Sequence, residues 1–251
     1  RHRSPRFGRC YKNLPLYDSP KRSRQLPKWN IPTDLRALIE ADDDSMWESA
    51  KSIGPNGVSP WYHRPGISPE ANWMNDPNGM VFYEGEYHLF YQHAPDSPDG
   101  GPLHWGHAVS KDLLNWQELD IALFPDELGM CVSGSAIVEQ NNDSGLFSDQ
   151  PGLIAFYTAH REKEGFDKGY IEEQCLAYSV DNGRSWAKYS GNPVISSPGC
   201  SDIRDPKVIW HENSQSWVMA LAVGQEIHFY RSKNLINWHF TSGFGLGEGL
   251  H

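Results

Sequence analysis

The sequence predicts an all-β chain, a β-propeller of which about three blades are present, preceded by an irregular N-terminal extension. Three observations predict it. From about Ser59 onward the chain consists of short alternating apolar and polar runs separated by turns. The runs recur as units that end alike: an alternating strand, a Ser, a turn containing Asp or Asn, and a Trp. The Ser-to-Trp endings are Ser110 to Trp116, Ser179 to Trp186 and Ser232 to Trp238. A β-unit that recurs in this way marks the blades of a propeller, whereas a sandwich with similar strand spacing predicts no repeated ending. Because propellers close with about four to eight blades, three units predict an incomplete ring.

The elements follow in order. Residues 1–58 form the extension. Its first part is basic and turn-rich, with Lys or Arg at 1, 3, 6, 9, 12, 21, 22, 24 and 28 against one acid, Asp18, and reads as a tail. Residues 33–53 can form a short helix, capped by Thr33 or Asp34, with Leu35, Leu38, Ile39 and Trp47 on a loose apolar face. The propeller domain spans 59–251. In the first unit, strands at 80–83 and 87–92 bracket the hairpin signal Glu84-Gly85-Glu86, and the run His107 to Trp116 follows. The second unit has strands at 153–158 and from Cys175 to Trp186. The third has strands at 208–210, 217–223 and from Ile227 to Trp238.

Composition narrows the function classes. A formal charge of −10 opposes a nucleic-acid surface over most of the chain. No apolar run approaches the roughly 18 residues of a membrane span, and the N-terminus lacks the apolar core of a signal peptide. Cys10, Cys131, Cys175 and Cys200 form no CxxC pair and no metal-like spacing with His. His93 and His107 have no partner at metal spacing and are expected to be structural. The 12% aromatic content suits a β-rich core or a site where sugar faces stack on rings.

Two motifs carry chemistry. Trp73-Met74-Asn75-Asp76-Pro77-Asn78-Gly79 stands before the 80–83 strand, and Ile203-Arg204-Asp205-Pro206-Lys207 before the 208–210 strand. Each alone is a plausible tight turn, since Asp-Pro and Asn-Gly are turn formers. Their equivalent places in two units change that reading, because the first strands of all blades line one axis and would bring Asp76 and Asp205 to one mouth. Two carboxylates flanking a pocket suit glycosidic bond cleavage. Ser133-Gly134-Ser135 holds the same place in the second unit and suits hydrogen bonding to a sugar hydroxyl. Gln92 adds an amide, and Trp105 either adds a ring or packs in the core.

These motifs, with Trp105-Gly106-His107-Ala108, Gln174-Cys175-Leu176-Ala177-Tyr178-Ser179 and Arg204-Asp205-Pro206 in order, make the chain resemble glycoside hydrolase family 32 over about residues 59–251. Within the family it is most similar to levanases, exo-inulinases and sucrose hydrolases. The resemblance implies a five-bladed propeller and retaining hydrolysis of terminal β-D-fructofuranosides (sucrose, inulin or levan). It implies Asp76 as the nucleophile and Asp205 as the transition-state stabiliser, with Arg204 beside it. Asn75, Gln92, Trp105 and Ser133 would shape the fructose pocket, and no metal or organic cofactor is implied. The partner is then a fructose-containing saccharide, with no nucleic acid and no membrane, and an extracellular location is favoured over a cytoplasmic one.

The resemblance also marks departures. The family's acid/base is a Glu in a Glu-Cys-Pro motif opening blade four, which this chain lacks. Glu173-Gln174-Cys175 sits inside the second unit and is not that motif, and Glu248 lacks the Cys-Pro. The family's C-terminal β-sandwich is also missing. Val132 replaces a common Phe, and His93 a common Tyr. The chain as given is therefore expected to be inactive. The alternatives are a fructosyltransferase on the same site and a non-catalytic fructoside-binding propeller.

Overall fold

The structure, a computed structural model, describes residues 69, 71–148, 150–163, 169–197 and 202–245. The N-terminal extension and its expected helix at 33–53 lie outside the described residues, as do Cys10, Cys200 and Glu248. Among the described residues the chain forms three four-stranded antiparallel sheets, each a plain meander. The first sheet holds β1 (Trp73–Tyr83), β2 (Glu86–Ala94), β3 (His104–Ser110) and β4 (Trp116–Leu123). The second holds β5 (Met130–Glu139), β6 (Gly152–Glu162), β7 (Tyr170–Ser179) and β8 (Ala187–Lys188). The third holds β9 (Ile203–His211), β10 (Ser216–Val223), β11 (Glu226–Ser232) and β12 (His239–Gly245). These are the expected blades. Glu84 (φ 47°) and Gly85 (φ 86°) make the two-residue hairpin turn between β1 and β2, where both central residues need positive φ. No helix of the described residues is long and apolar enough to cross a membrane.

Period-two alternation in β6 organises the core. Ala155, Tyr157 and Ala159 face blade one and join Phe90, Trp105 and Leu123 in one apolar cluster. Ile154 and Phe156 point the other way and join Ile203, Val208, Met219 and Leu221 of blade three. Blade two is thus buried on both faces. At the blade-one junction His88 and His107 form a buried pair, Nδ1 to Nε2, at 3.0 Å. Burial lowers both rings, His107 to about 3. His93 is also buried, its Nδ1 2.8 Å from the Trp73 carbonyl.

The repeated Ser-to-Trp ending folds as one turn used three times. The Ser hydroxyl accepts backbone N–H bonds from the turn, at Leu113 (2.9 Å), Gly183 (2.9 Å) and Asn234 (3.1 Å). The Trp indole N–H then donates back to Leu113, Gly183 or Leu235. Trp186 packs edge-on against Phe90 of blade one, and Trp238 edge-on against Phe156 of blade two. The repeat therefore couples blade two to blade one and blade three to blade two. It does not end the blade, however: a fourth strand begins at Trp116 in blade one and directly after Trp186 and Trp238 in blades two and three. These outer strands carry no alternation to betray them. β8 has two residues, and β12 is exposed at every position.

A second correction concerns the two acidic motifs. Both lie inside the innermost strands, β1 and β9, and not in turns ahead of them. The pairing slips by one residue at each: Asn75 pairs Gln92 and Pro77 pairs Tyr91, leaving Asp76 bulged. In β9, Arg204 pairs Ala222 and Lys207 pairs Ala220, so Asp205 and Pro206 share one partner position. Blade two repeats the device, with Ser133 bulged between the pairs Val132–Thr158 and Gly134–Tyr157. Proline is tolerated in a strand at such irregularities because it has no N–H to donate.

Candidate active site

A β-bulge re-aims a side chain out of the alternating pattern, and three bulges near the starts of β1, β5 and β9 do so at one end of the blades. Asp76 (φ 36°) and Asp205 (φ 61°) both adopt left-handed backbone geometry, which is strained for a residue with a Cβ. Around Asp76 the bulge is held by Asn78, whose amide donates to the Asp76 carbonyl at 3.1 Å.

Gln92, at the far end of β2, ties two blades to this carboxylate. Its Nε2 donates to Ser133 Oγ at 2.5 Å and stands 3.4 Å from Asp76 Oδ2. Its Oε1 accepts from Asn75 Nδ2 at 3.2 Å. Asn75 in turn accepts from the Trp73 indole at 2.6 Å. The structure thus brings Asn75, Asp76, Gln92 and Ser133 into one hydrogen-bonded group.

Asp205 is half-exposed on the third bulge. Arg204 Nε lies 3.8 Å from Asp205 Oδ2, and its Nη1 lies 2.9 Å from Asp202. Burial raises the Asp205 carboxyl above its ordinary value, the charges of Asp76 and Glu172 add to the rise, and Arg204 opposes it. The backbone of this bulge is anchored from blade two: Asp205 N–H donates to Thr158 Oγ1 at 3.2 Å, and Ser135 Oγ donates to the Pro206 carbonyl at 2.7 Å.

Of its two readings, Trp105 takes the core position. It is fully buried, packed on Phe90 and Tyr157, and its indole N–H donates to the Val132 carbonyl at 3.0 Å. With its ring face enclosed and its donor used, it supports the strand that carries Ser133 and has no surface to offer a sugar. Sequence reasoning missed Thr158, Glu172 and the side-chain bonds of Gln174. The sequence carries no signal that singles them out: Glu172, Glu173 and Gln174 are three polar residues in a row, and only the pairing of Thr158 with Gln174 and the packing of blade three distinguish them. Among the described residues no cluster of His, Cys, Asp or Glu is gathered to hold a metal ion. Cys131 and Cys175 are free and buried, and burial pushes their thiols up to about 11 and about 12.

Residues 66–249 match the family model described as the glycosyl hydrolases family 32 N-terminal domain. The chain belongs to glycoside hydrolase family 32. Among family members, the levanase of Bacillus subtilis (strain 168) is 54% identical over 193 residues, covering 76% of this chain and 27% of that protein. The invertase of Schizosaccharomyces pombe is 42% identical over 209 residues, covering 78% of this chain and 35% of its own length. A crystal structure of exo-inulinase from Aspergillus awamori superposes with a TM-score of 0.66 at 36% identity, covering 74% of this chain and 41% of that one. The β-fructofuranosidase of Schwanniomyces occidentalis, solved with fructosyl-erythritol, gives the same TM-score and identity over 78% of this chain and 39% of its own. This family 32 chain thus spans about a quarter to two-fifths of the length of these relatives. The three sheets are blades of the family 32 β-propeller.

Proposed function

We propose that the protein hydrolyses terminal β-D-fructofuranosides, in sucrose, inulin or levan, with retention of configuration. The observation that supports this reading most directly is the pair of acidic bulges, Asp76 and Asp205, on equivalent strands of two blades. In this reading Asp76 attacks the anomeric carbon of the bound fructosyl unit and carries it as a covalent intermediate, which water then hydrolyses. Asp205 binds fructose hydroxyls and stabilises the cationic transition state, with Arg204 orienting it. Asn75, Gln92 and Ser133 line the fructose pocket, and Trp105 backs it. The reading needs no metal and no organic cofactor.

A retaining mechanism also needs an acid to protonate the leaving oxygen, and the Glu-Cys-Pro sequence expected to supply it does not occur in these 251 residues. Positioned acid catalysis contributes about 10² to 10⁴-fold. We also infer an extracellular location, since exo-inulinases described as extracellular are among the relatives. The test is fructose release from sucrose, inulin and levan by the protein at its natural length. Asp76→Ala should lower the rate by about 10³-fold or more while leaving the fold intact by circular dichroism. Unchanged fructose release in the folded variant would remove Asp76 from the chemistry.

A further inference from the structure

Glu172 is a carboxylate that the hydrolytic reading does not use. It lies on β7, is 2% exposed, and faces blade three. Its Oε2 accepts the Ile203 N–H at 2.8 Å, and its Oε1 accepts from His160 Nδ1 at 3.0 Å. Arg204 Nη1 stands 3.8 Å from the same Oε1. A buried carboxylate is costly unless its charge is met by donors and opposite charge, and here both are supplied at the root of the Asp205 bulge.

The backbone at that root is strained. Asp202 (φ 63°) and Asp205 (φ 61°) are both left-handed and flank Ile203 and Arg204. Such geometry persists only where the surroundings over-determine it. Three side chains of blade two do so: Glu172 holds the Ile203 N–H, Gln174 Nε2 holds the Ile203 carbonyl at 2.8 Å, and Thr158 holds the Asp205 N–H. Thr158 also donates to Gln174 at 2.8 Å, which locks the set together. Of the three, Glu172 alone carries charge, and it faces the guanidinium whose Nε faces Asp205.

We propose that Glu172 is a positioning residue for Asp205, fixing the Ile203–Asp205 backbone through the Ile203 amide and orienting Arg204 between the two carboxylates. The assignment rests on the hydrolytic reading of Asp205 for its consequence in activity, but not for its geometry. The titratable and charged groups around this pair are His160 on β6, Arg204 and Asp202 beside the bulge, and Asp76 on β1. Glu172 disfavours the ionised form of Asp205. Glu172→Gln keeps an oxygen for the Ile203 N–H and removes the charge, whereas Glu172→Ala removes both.

The experiment uses the natural-length protein and two readouts. The first is the Asp205 carboxyl titration by carbon NMR, assigned by Asp205→Asn. In Glu172→Gln the midpoint moves to lower pH. The second is the pH profile of kcat/KM on sucrose. The acidic limb of Glu172→Gln moves to lower pH with the neutral-pH rate nearly kept. Glu172→Ala loses about 10- to 100-fold, chiefly in kcat, as expected when a reacting group is misplaced, and Gln rescues relative to Ala. An Asp205 midpoint unchanged in Glu172→Gln overturns the proposal, as does an equal loss in both variants that tracks the loss of folded protein. If the wild type releases no fructose but the Asp205 midpoint moves, the positioning stands and the hydrolytic reading falls.

Discussion

At the scale of single residues, the site works by balancing one cation among several anions. Arg204 reaches Asp202, Glu172 and Asp205, and it is the influence that holds the Asp205 carboxyl down against burial, Asp76 and Glu172. Removing it therefore raises Asp205 further. If turnover needs Asp205 ionised, Arg204→Gln should move the acidic limb of kcat/KM to higher pH, opposite in sign to Glu172→Gln. A pH profile of both variants on sucrose checks this, and a shift in the same direction for both would contradict the electrostatic account. The acidic residues themselves were legible in the sequence because Asn-Asp-Pro-Asn-Gly and Arg-Asp-Pro are distinctive. The supporting carboxylate was not, because a Glu inside a strand acquires meaning only from the next blade packed against it. Trp105 shows the converse. Its motif is conspicuous, yet a ring's role depends on which of its faces the fold encloses.

At the scale of the element, the device that matters is the bulge near the start of each innermost strand. The sequence located the three positions but placed the motifs ahead of the strands, since Asp-Pro reads as a turn and gives no sign that pairing resumes on both sides. Bulges are set by pairing register, which depends on the neighbouring strand, and single-strand patterns cannot show it. The blade-two bulge has a sharp steric requirement. A Cβ at Gly134 would stand 1.9 Å from the Phe156 carbonyl oxygen, a backbone atom that cannot swing aside. Gly134→Ala should therefore cost about 1–3 kcal/mol and displace Ser133 from Gln92. Gly85→Ala is the control: it has a positive φ of 86° but nothing within 4 Å, so its cost should be backbone strain alone, about 1 kcal/mol. Urea denaturation of the two variants measures the difference. Equal costs would mean that the strand yields at Gly134 and that the bulge is soft.

At the scale of the whole molecule, stability is unevenly spread. Blade two is packed on both faces, through Tyr157 towards blade one and Phe156 towards blade three, and the first eight residues of β6 are all buried. Within the described residues, blades one and three are each packed against one neighbouring blade only, with Met80, Phe82, Ile209 and Phe240 exposed, and β12 is exposed along its full length. Amide exchange requires opening, and opening costs most where buried apolar contacts are densest. Hydrogen exchange followed by mass spectrometry should therefore find the slowest amides in β6 and β7, intermediate ones in β2 and β10, and the fastest in β12. The gradient has a functional side. Thr158, Glu172 and Gln174, which pin the Asp205 bulge, all come from β6 and β7. The strained acidic bulge of blade three is thus clamped by deeply buried strands of its neighbour, where a clamp should open least often. Uniform exchange across the three blades would break that link and leave the Asp205 backbone to be held by its own strand.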